Sequence, residues 1–398
     1  MVDPSSPGKG DASEIPHEFQ WLGSGRAYLT AQMEAIAGAK KTVRMEVYIF
    51  SKAEIGERFR EALTAAAGRG VEVSLMVDAV GSAELPKDFF ATLDALPNAT
   101  VRWFNKPSLA TWSFRDHRKI LVVDDARAFV GGCNVGAEYF GDGVTEGWRD
   151  GGISIGGPVV GTLAAEFDAM FAFAEEKQWK KGQREARKQR RRRVPAGAEV
   201  DALFVYPGFG RSPLREAIRR DLASAQDIAI VSPYFLPSLS LRRQIVAPLR
   251  RKARVRLLLA GKSDVKLMQL ASRAIYRRFI KAGVEIWEYR PQILHAKVLI
   301  LDDIVYIGSS NLDPRSLRIN FEVMLRIRDA ALAKVAREQF EEDLKHSHQV
   351  TAGEVRGART WWSRLKQKVA YWVFARLDPR VAEGNLRRWL RAHRGTPP

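Results

Sequence analysis

The chain has 398 residues, 46% apolar and 28% charged, an ordinary globular mixture that excludes wholesale disorder, collagen and fibrous repeats. Its single cysteine, Cys133, excludes an intramolecular disulfide or a cysteine-cage zinc site and fits a reducing compartment. A net charge of +18 asks for an anionic partner such as nucleic acid or lipid headgroups, yet the excess sits in 177–194 (ten basic, one acidic) and 355–398 (eleven basic, two acidic), leaving 43 against 43 elsewhere.

In chain order, the opening MVDPSSPGKGDASE lacks the apolar core of a secretory signal, and residues 1–18 are expected to be disordered. No run reaches the roughly 18 to 20 apolar residues that span a bilayer. A first α/β domain is expected over 19–176, with strands at RMEVYIF, VEVSLMVD, TVRWF, HRKILVVD and RAFVGG and helices at 26–39 and 57–69. The basic run then reads as a solvated linker, 177–199. A second α/β domain is expected over 200–350, with strands at DIAIVSPYF, RVRLLLA, VEIWEY, HAKVLILD and IVYIGSS and helices near 214–225, 241–252 and 265–282. Near-continuous apolar strands such as KILVV imply sheets covered on both faces. The tail, 351–398, holds four of the ten tryptophans. At helical spacing Trp361, Leu365, Val369, Trp372, Val373 and Leu377 share a face, with Arg364, Lys366, Lys368 and Arg376 elsewhere. Such a helix either lies in a membrane interface or docks its apolar stripe on the core.

The two domains repeat one pattern. His117, Lys119 and Asp124 are followed by Gly131, Gly132 and Asn134; His295, Lys297 and Asp302 are followed by Gly308, Ser309 and Asn311. Spacing within each His-Lys-Asp set is the same, and the turn after it is one residue shorter in the second copy. On a strand, residues two apart share a face about 6 to 7 Å apart. Two halves meeting about a pseudo-twofold axis would gather two imidazoles and two ammonium groups around one phosphate. One imidazole attacks phosphorus, the other protonates the departing alkoxide, and both lysines with Asn134 and Asn311 steady the oxygens. This chemistry calls for no metal and no cofactor. Asp124 and Asp302, seven residues after the histidines, point the other way on a regular strand and also read as hairpin-turn residues.

On these motifs the sequence resembles the phospholipase D superfamily, whose HxK(x4)D signature occurs here twice. Within it the chain is most similar to bacterial cardiolipin synthases of the type lacking N-terminal transmembrane helices. That match runs through EVYIF (46–50), GGCNVGAEYF (131–140), WRD (148–150), PYFLP (233–237), GSSNLDPRSLRINFE (308–322) and RTWWSRLK (359–366), and covers about 19–375. The chain departs from the family in reading SKAEIG after YIF, where an acidic residue is often found.

The resemblance implies two pseudo-twofold-related α/β sandwich domains with a C-terminal amphipathic helical tail. It implies a catalytic set of His117, Lys119, Asp124, His295, Lys297 and Asp302, with Asp150 and Glu322 orienting the histidines, His117 as nucleophile and His295 as acid then base. The activity implied is phosphatidyl transfer from one phosphatidylglycerol to another through a phosphohistidine, at an anionic phospholipid membrane on the cytoplasmic side of the inner membrane. Hydrolysis by the same intermediate, a nuclease of the same superfamily, and a lipid-binding scaffold are the competing readings. The near-neutral body argues against nucleic acid, and intact His and Lys in both copies argues against a scaffold. AGKSD (260–264) mimics the end of a P-loop but has Arg256 where the glycine is required. His346 and His348 read as a solvated pair, Tyr234 and Phe235 as core or groove, and Asn98 as an unused sequon.

Overall fold

The computed structural model describes residues 17–105, 114–175, 199–207, 212–357, 361–382 and 384–385. The linker run at 177–198, Trp389 and residues 1–16 lie outside the described residues. In the first half the strands are β1 (Phe19–Leu22), β2 (Thr42–Val47), β3 (Glu72–Asp78), β4 (Ala99–Phe104), β5 (Ile120–Val123), β6 (Arg127–Gly131) and β7 (Gly152–Gly156). Its helices are α1 (Gly25–Gly38), α2 (Glu54–Gly68), α3 (Ala91–Asp94) and α4 (Val159–Phe173). The second half has β8 (Val200–Val205), β9 (Asp227–Ser232), β10 (Arg254–Ala260), β11 (Glu285–Tyr289), β12 (Val298–Leu301), β13 (Ile304–Gly308), β14 (Glu322–Arg328) and β15 (Ser347–Gln349). Its helices are α5 (Pro213–Ser224), α6 (Leu239–Val246), α7 (Lys266–Ala282), α8 (Pro314–Arg318) and α9 (Ala330–Lys345), followed by α10 (Ala352–Gly357) and α11 (Trp361–Trp372).

The sheets repeat one topology. The first runs β1-β7-β6-β5-β2-β3-β4; the second, read from β8, runs β8-β14-β13-β12-β9-β10-β11 with β15 added at the edge. In each, three strands are parallel (β2, β3, β4; β9, β10, β11) and the β5 or β12 hairpin joins them antiparallel. Strand alternation places each sheet between two apolar layers. In β5, Leu121 and Val123 face the first half's own cluster, whereas Ile120 and Val122 face a cluster shared by both halves. In β12, Leu299 and Leu301 face the second half's cluster and Val298 and Ile300 the shared one. Leu163 and Phe167 of α4 and Leu332 and Phe340 of α9 complete that shared core. Burying apolar area on both sides of the domain junction fixes one half against the other.

Within this junction lies a buried polar knot. Arg118, between the histidine and lysine of the first motif, donates through Nε to Glu46 (2.6 Å) and through Nη1 to Glu166 (3.1 Å), while the Tyr206 hydroxyl of the second half also donates to Glu166. Burial pushes the Glu46 carboxyl up, against the pull of Arg118. The matching residue of the second motif is Ala296, so the knot belongs to one copy alone.

Several elements differ from expectation. The strands at 44–50 and 117–124 are shorter, because Tyr48, Ile49 and Phe50 and residues 117–119 leave their ladders at the end that faces the other half. The helix expected at 241–252 stops at Val246, where Pro248 removes an amide donor, and continues as a 3₁₀ turn. The strands β1, β7, β8, β14 and β15 and the helices α3, α4, α8, α9 and α10 are not among the expected elements. In the tail, α11 docks on α7: Ala370, Tyr371 and Phe374 pack against Leu236, Met268, Leu270 and Ala271. Arg242 donates to the Tyr371 hydroxyl (2.7 Å), and Arg315 grips Asp378 with both ends of its guanidinium (2.5 and 2.6 Å). Val369, Trp372 and Leu377, from the predicted stripe, point outward instead, 52%, 53% and 41% exposed.

Candidate active site

Each motif is delivered by a short segment that leaves its own sheet and pairs with the other half. The His117 amide donates to the Phe321 carbonyl (3.0 Å) and the Phe321 amide to the Arg115 carbonyl (2.9 Å). The His295 and Ala296 amides likewise donate to the Arg149 carbonyl (2.8 and 3.0 Å). Phe321 and Arg149 each precede a carboxylate, so the crossing brings Glu322 to His117 and Asp150 to His295. Nδ1 of His117 lies 3.1 Å from Glu322 Oε2, and Nδ1 of His295 lies 2.6 Å from Asp150 Oδ2. Each histidine is therefore held at Nδ1 by a carboxylate from the opposite half.

The glycine-rich tails of the motifs make room for this exchange. A Cβ at Gly132 would meet Asp150 Oδ1 at 2.4 Å, so only glycine fits beside that carboxylate. At the matched position of the second copy, Ser309 turns its hydroxyl to donate to Glu322.

The lysines complete the cluster. Lys119 and Lys297 are both 2% exposed, and each donates its amine to the carbonyl of its own histidine. Nζ of Lys297 also lies 2.7 Å from Nδ1 and 3.1 Å from Nε2 of His295. Because Nδ1 carries one proton or lone pair, we assign its proton to the shorter contact with Asp150 and read Lys297 as a cation over the ring. Both lysines act on both histidines. Burial, then Lys119 and Lys297, hold His117 well below its ordinary value. Burial, then Lys297, lower His295 against the opposing pull of Asp150. Burial lowers Lys119 to about 7, and lowers Lys297 too. Each lysine thus acts on the histidine of the other copy as well as on its own.

The two carboxyls are not equivalent. Burial pushes Asp150 up, but Lys297 and the His295 hydrogen bond more than offset it, so it stays below the ordinary carboxylate range. Burial raises Glu322 to about 8 despite Lys119 and Ser309. At neutral pH Asp150 is an anion and Glu322 chiefly an acid. His117 is also the more open ring, its side chain 14% exposed against 6% for His295.

Asp124 and Asp302 require correction as catalytic residues. Asp124 is half-buried and Asp302 exposed, both at hairpin turns with positive φ (54° and 51°), at the far end of their strands from the lysines. Asp124 accepts the amides of Lys40, Lys41 and Thr42, and Asp302 those of Gln226 and Asp227. They clip the start of β2 and β9 to the motif hairpin, which is why the same spacing recurs without chemistry. Asn134 is also engaged away from the phosphate: its amide donates to Tyr139 Oη (2.7 Å) and accepts from Ile49 (3.1 Å). Asn311 is buried with its Oδ1 unpartnered, free to meet a ligand.

Three aromatic residues of the site were quoted from the sequence without a role. Tyr48 packs on His117 at 5.0 Å between ring centres, and Tyr139 and Trp148 pack on His295 at 5.2 and 5.4 Å. The signal available for Tyr48 was its match with Tyr234, one after each first parallel strand; no such pairing marked Tyr139 or Trp148. Tyr234 donates to Asp264 (2.6 Å) at the cleft, while Phe235 is core, against Phe279.

Comparison with known proteins follows the same division into halves. The family model "Cardiolipin synthase, PLD-like domain" matches residues 33–170 and 218–344. Cardiolipin synthase B of Salmonella typhi is 31% identical over 387 residues, 95% of this chain and 91% of that protein. Cardiolipin synthase A of Pseudomonas entomophila is 32% identical over 349 residues, 85% of this chain and 71% of that one. The solved phosphatidylserine synthase of Haemophilus influenzae shares the fold, with a TM-score of 0.71 at 17% identity over 92% of this chain and 95% of its own.

Proposed function

The chain belongs to the cardiolipin synthase family with phospholipase D-like domains, and from that membership we infer that it is a phosphatidyltransferase joining two phosphatidylglycerol molecules into cardiolipin and glycerol. The observation that supports this reading most directly is the exchange of carboxylates, which turns two distant histidines into one pair around a cationic pocket.

In the first step Nε2 of His117 attacks phosphorus, forming a P–N bond as the P–O bond to glycerol breaks. His295, charged on substrate binding beside anionic Asp150, gives its Nε2 proton to the leaving alkoxide. In the second step the glycerol hydroxyl of another phosphatidylglycerol gives its proton to His295 and attacks the same phosphorus, and the P–N bond breaks. Lys119 and Lys297, with Asn311 donating through Nδ2, steady the nonbridging oxygens, and the phosphate anion offsets the burial that depresses both lysines. Phosphatidylglycerol labelled in its free glycerol tests the reading. With no other acceptor, cardiolipin and free glycerol form in equal amounts; phosphatidic acid as the main lipid product would make the enzyme a hydrolase.

Among the described residues no helix is long and apolar enough to cross a membrane. We place the enzyme peripherally on the cytoplasmic face of the inner membrane, with the outward residues Val369, Trp372 and Leu377 and exposed Lys366 and Lys368 entering the interface. Trp372→Ala with Val369→Ser is expected to weaken binding to anionic vesicles about tenfold at low salt and to leave turnover of detergent-dispersed lipid within about twofold. Equal losses in the two assays would instead make this face structural.

A further inference from the structure

One cavity of the described residues lies apart from the motif histidines and lysines. It is an open groove of about 800 Å³ in the second half, between α5, α6, α8 and the tail. Its walls carry five arginines, Arg215, Arg219, Arg242, Arg318 and Arg380, against one carboxylate, Glu216. None of the motif residues lines it. Arg242 is buried and fixed, donating to the Pro237 carbonyl (2.7 Å) and to Tyr371 Oη. The other four are exposed residues, and none of their side chains makes a hydrogen bond or ion pair among the described residues. Arg215 and Arg318 both line the groove, and Arg318, after burial, opposes the charge on Arg215 while Glu216 supports it.

Like charges gathered in a concave site on a body otherwise balanced in charge are stabilised by an anion placed between them. The rest of the lining mixes Ser212, Ser238, Ser240 and Gln244 with apolar side chains: Leu236, Pro237 and Leu317 are buried, while Leu239, 51% exposed, stands at the mouth. The tail residues Tyr371 and Pro379 close one side, next to outward-facing Trp372. Exposed arginines over a partly apolar lining, with Leu239 at the mouth, together match a phosphodiester with acyl chains better than a small phosphate, which has no use for the apolar surface.

We propose that this groove binds the phosphodiester headgroup of an anionic phospholipid of the bilayer, as an attachment site separate from the site of chemistry. The choice of a lipid as occupant rests on the phosphatidyltransferase reading above. Helix α8 is the shared wall: Pro314, Leu317 and Arg318 line the groove, while Arg315 acts on Tyr48 beside His117 and holds Asp378 of the tail. An occupied groove thus seats the tail and the catalytic cleft against the same membrane.

The test measures binding of the full chain, with His117→Ala to keep lipid composition constant, to phosphatidylcholine vesicles with and without phosphatidylglycerol. R215Q/R318Q is expected to lose about tenfold or more in affinity for the phosphatidylglycerol vesicles and nothing on phosphatidylcholine alone. K40Q/K87Q, which removes the same charge from the exposed surface of the first half, is expected to change less than about twofold. Equal affinity of R215Q/R318Q and its parent, at matched melting temperature, overturns the proposal, as does an equal loss in K40Q/K87Q. Displacement of the parent from vesicles by glycerophosphate at the same phosphate concentration assigns the groove to a soluble phosphate and overturns the lipid. If the wild-type chain makes cardiolipin while R215Q/R318Q binds like its parent, the groove alone fails. If groove-dependent binding holds and no cardiolipin forms, the transferase reading alone fails.

Discussion

Alanine at His117 is expected to abolish both turnover and the covalent adduct, whereas alanine at His295 leaves a protein that still acquires a phosphatidyl group and fails to release it. Both substitutions lower cardiolipin formation at least about 10⁴-fold, since each removes a partner from both steps of the reaction. They separate in intact-protein mass spectrometry after incubation with phosphatidylglycerol. His117→Ala has no nucleophile and shows the bare mass. His295→Ala keeps the nucleophile; it loses the proton donor of the first step and the base of the second, so the slowly formed adduct persists. The assignment follows from position and charge: His117 is the more open ring and is paired with a chiefly neutral carboxyl, while His295 is paired with an anion. An adduct on His117→Ala and none on His295→Ala would reverse the roles and leave the pair intact.

Neutralising the two orienting carboxylates is expected to have very unequal consequences. Asp150→Asn removes the anion that stabilises charged His295 and offers an amide that can face Nδ1 with the wrong group, so kcat falls about 10³- to 10⁴-fold. Glu322→Gln replaces a group already chiefly protonated at pH 7 by a neutral one of the same shape, and kcat falls about tenfold or less. The two carboxyls also differ in pH linkage. Glu322, raised from 4.5 to about 8, binds its proton more tightly when folded. That contribution to stability is fully present below the unfolded value and is lost as pH rises through 8. Thermal unfolding of Glu322→Gln is therefore expected to fall less steeply between pH 5 and about 8 than that of the parent. Equal losses of kcat in the two variants would remove the distinction between the carboxyls.

The aspartates of the motif show how far spacing alone reaches. Asp124 and Asp302 recur in register with the histidines, and recurrence in a duplicated sequence marks whatever the fold needs twice, including a turn that clips the next strand. Alternation along the strand separated them from the lysines, and the structure agrees with that geometric argument over the motif pattern. The tail divides differently. Periodicity found the stripe of Val369, Trp372 and Leu377 but could not say which side meets protein; the small and aromatic residues beside it, Ala370, Tyr371 and Phe374, dock on α7. A helix with apolar residues on two sides shows its orientation only when its neighbours are in place.

By itself the sequence determined the repeat, the two-layered α/β halves, the His-Lys pairs and the family, because these depend on local periods and on residue types at fixed offsets. Only the tertiary structure decided which carboxylate serves which histidine, that Glu322 and Asp150 hold different charge at neutral pH, and that five arginines scattered from 215 to 380 line one groove. These are properties of burial and of contacts between distant segments. Burial and distance set charge state and partnership, and neither is written in the spacing of residues along a chain.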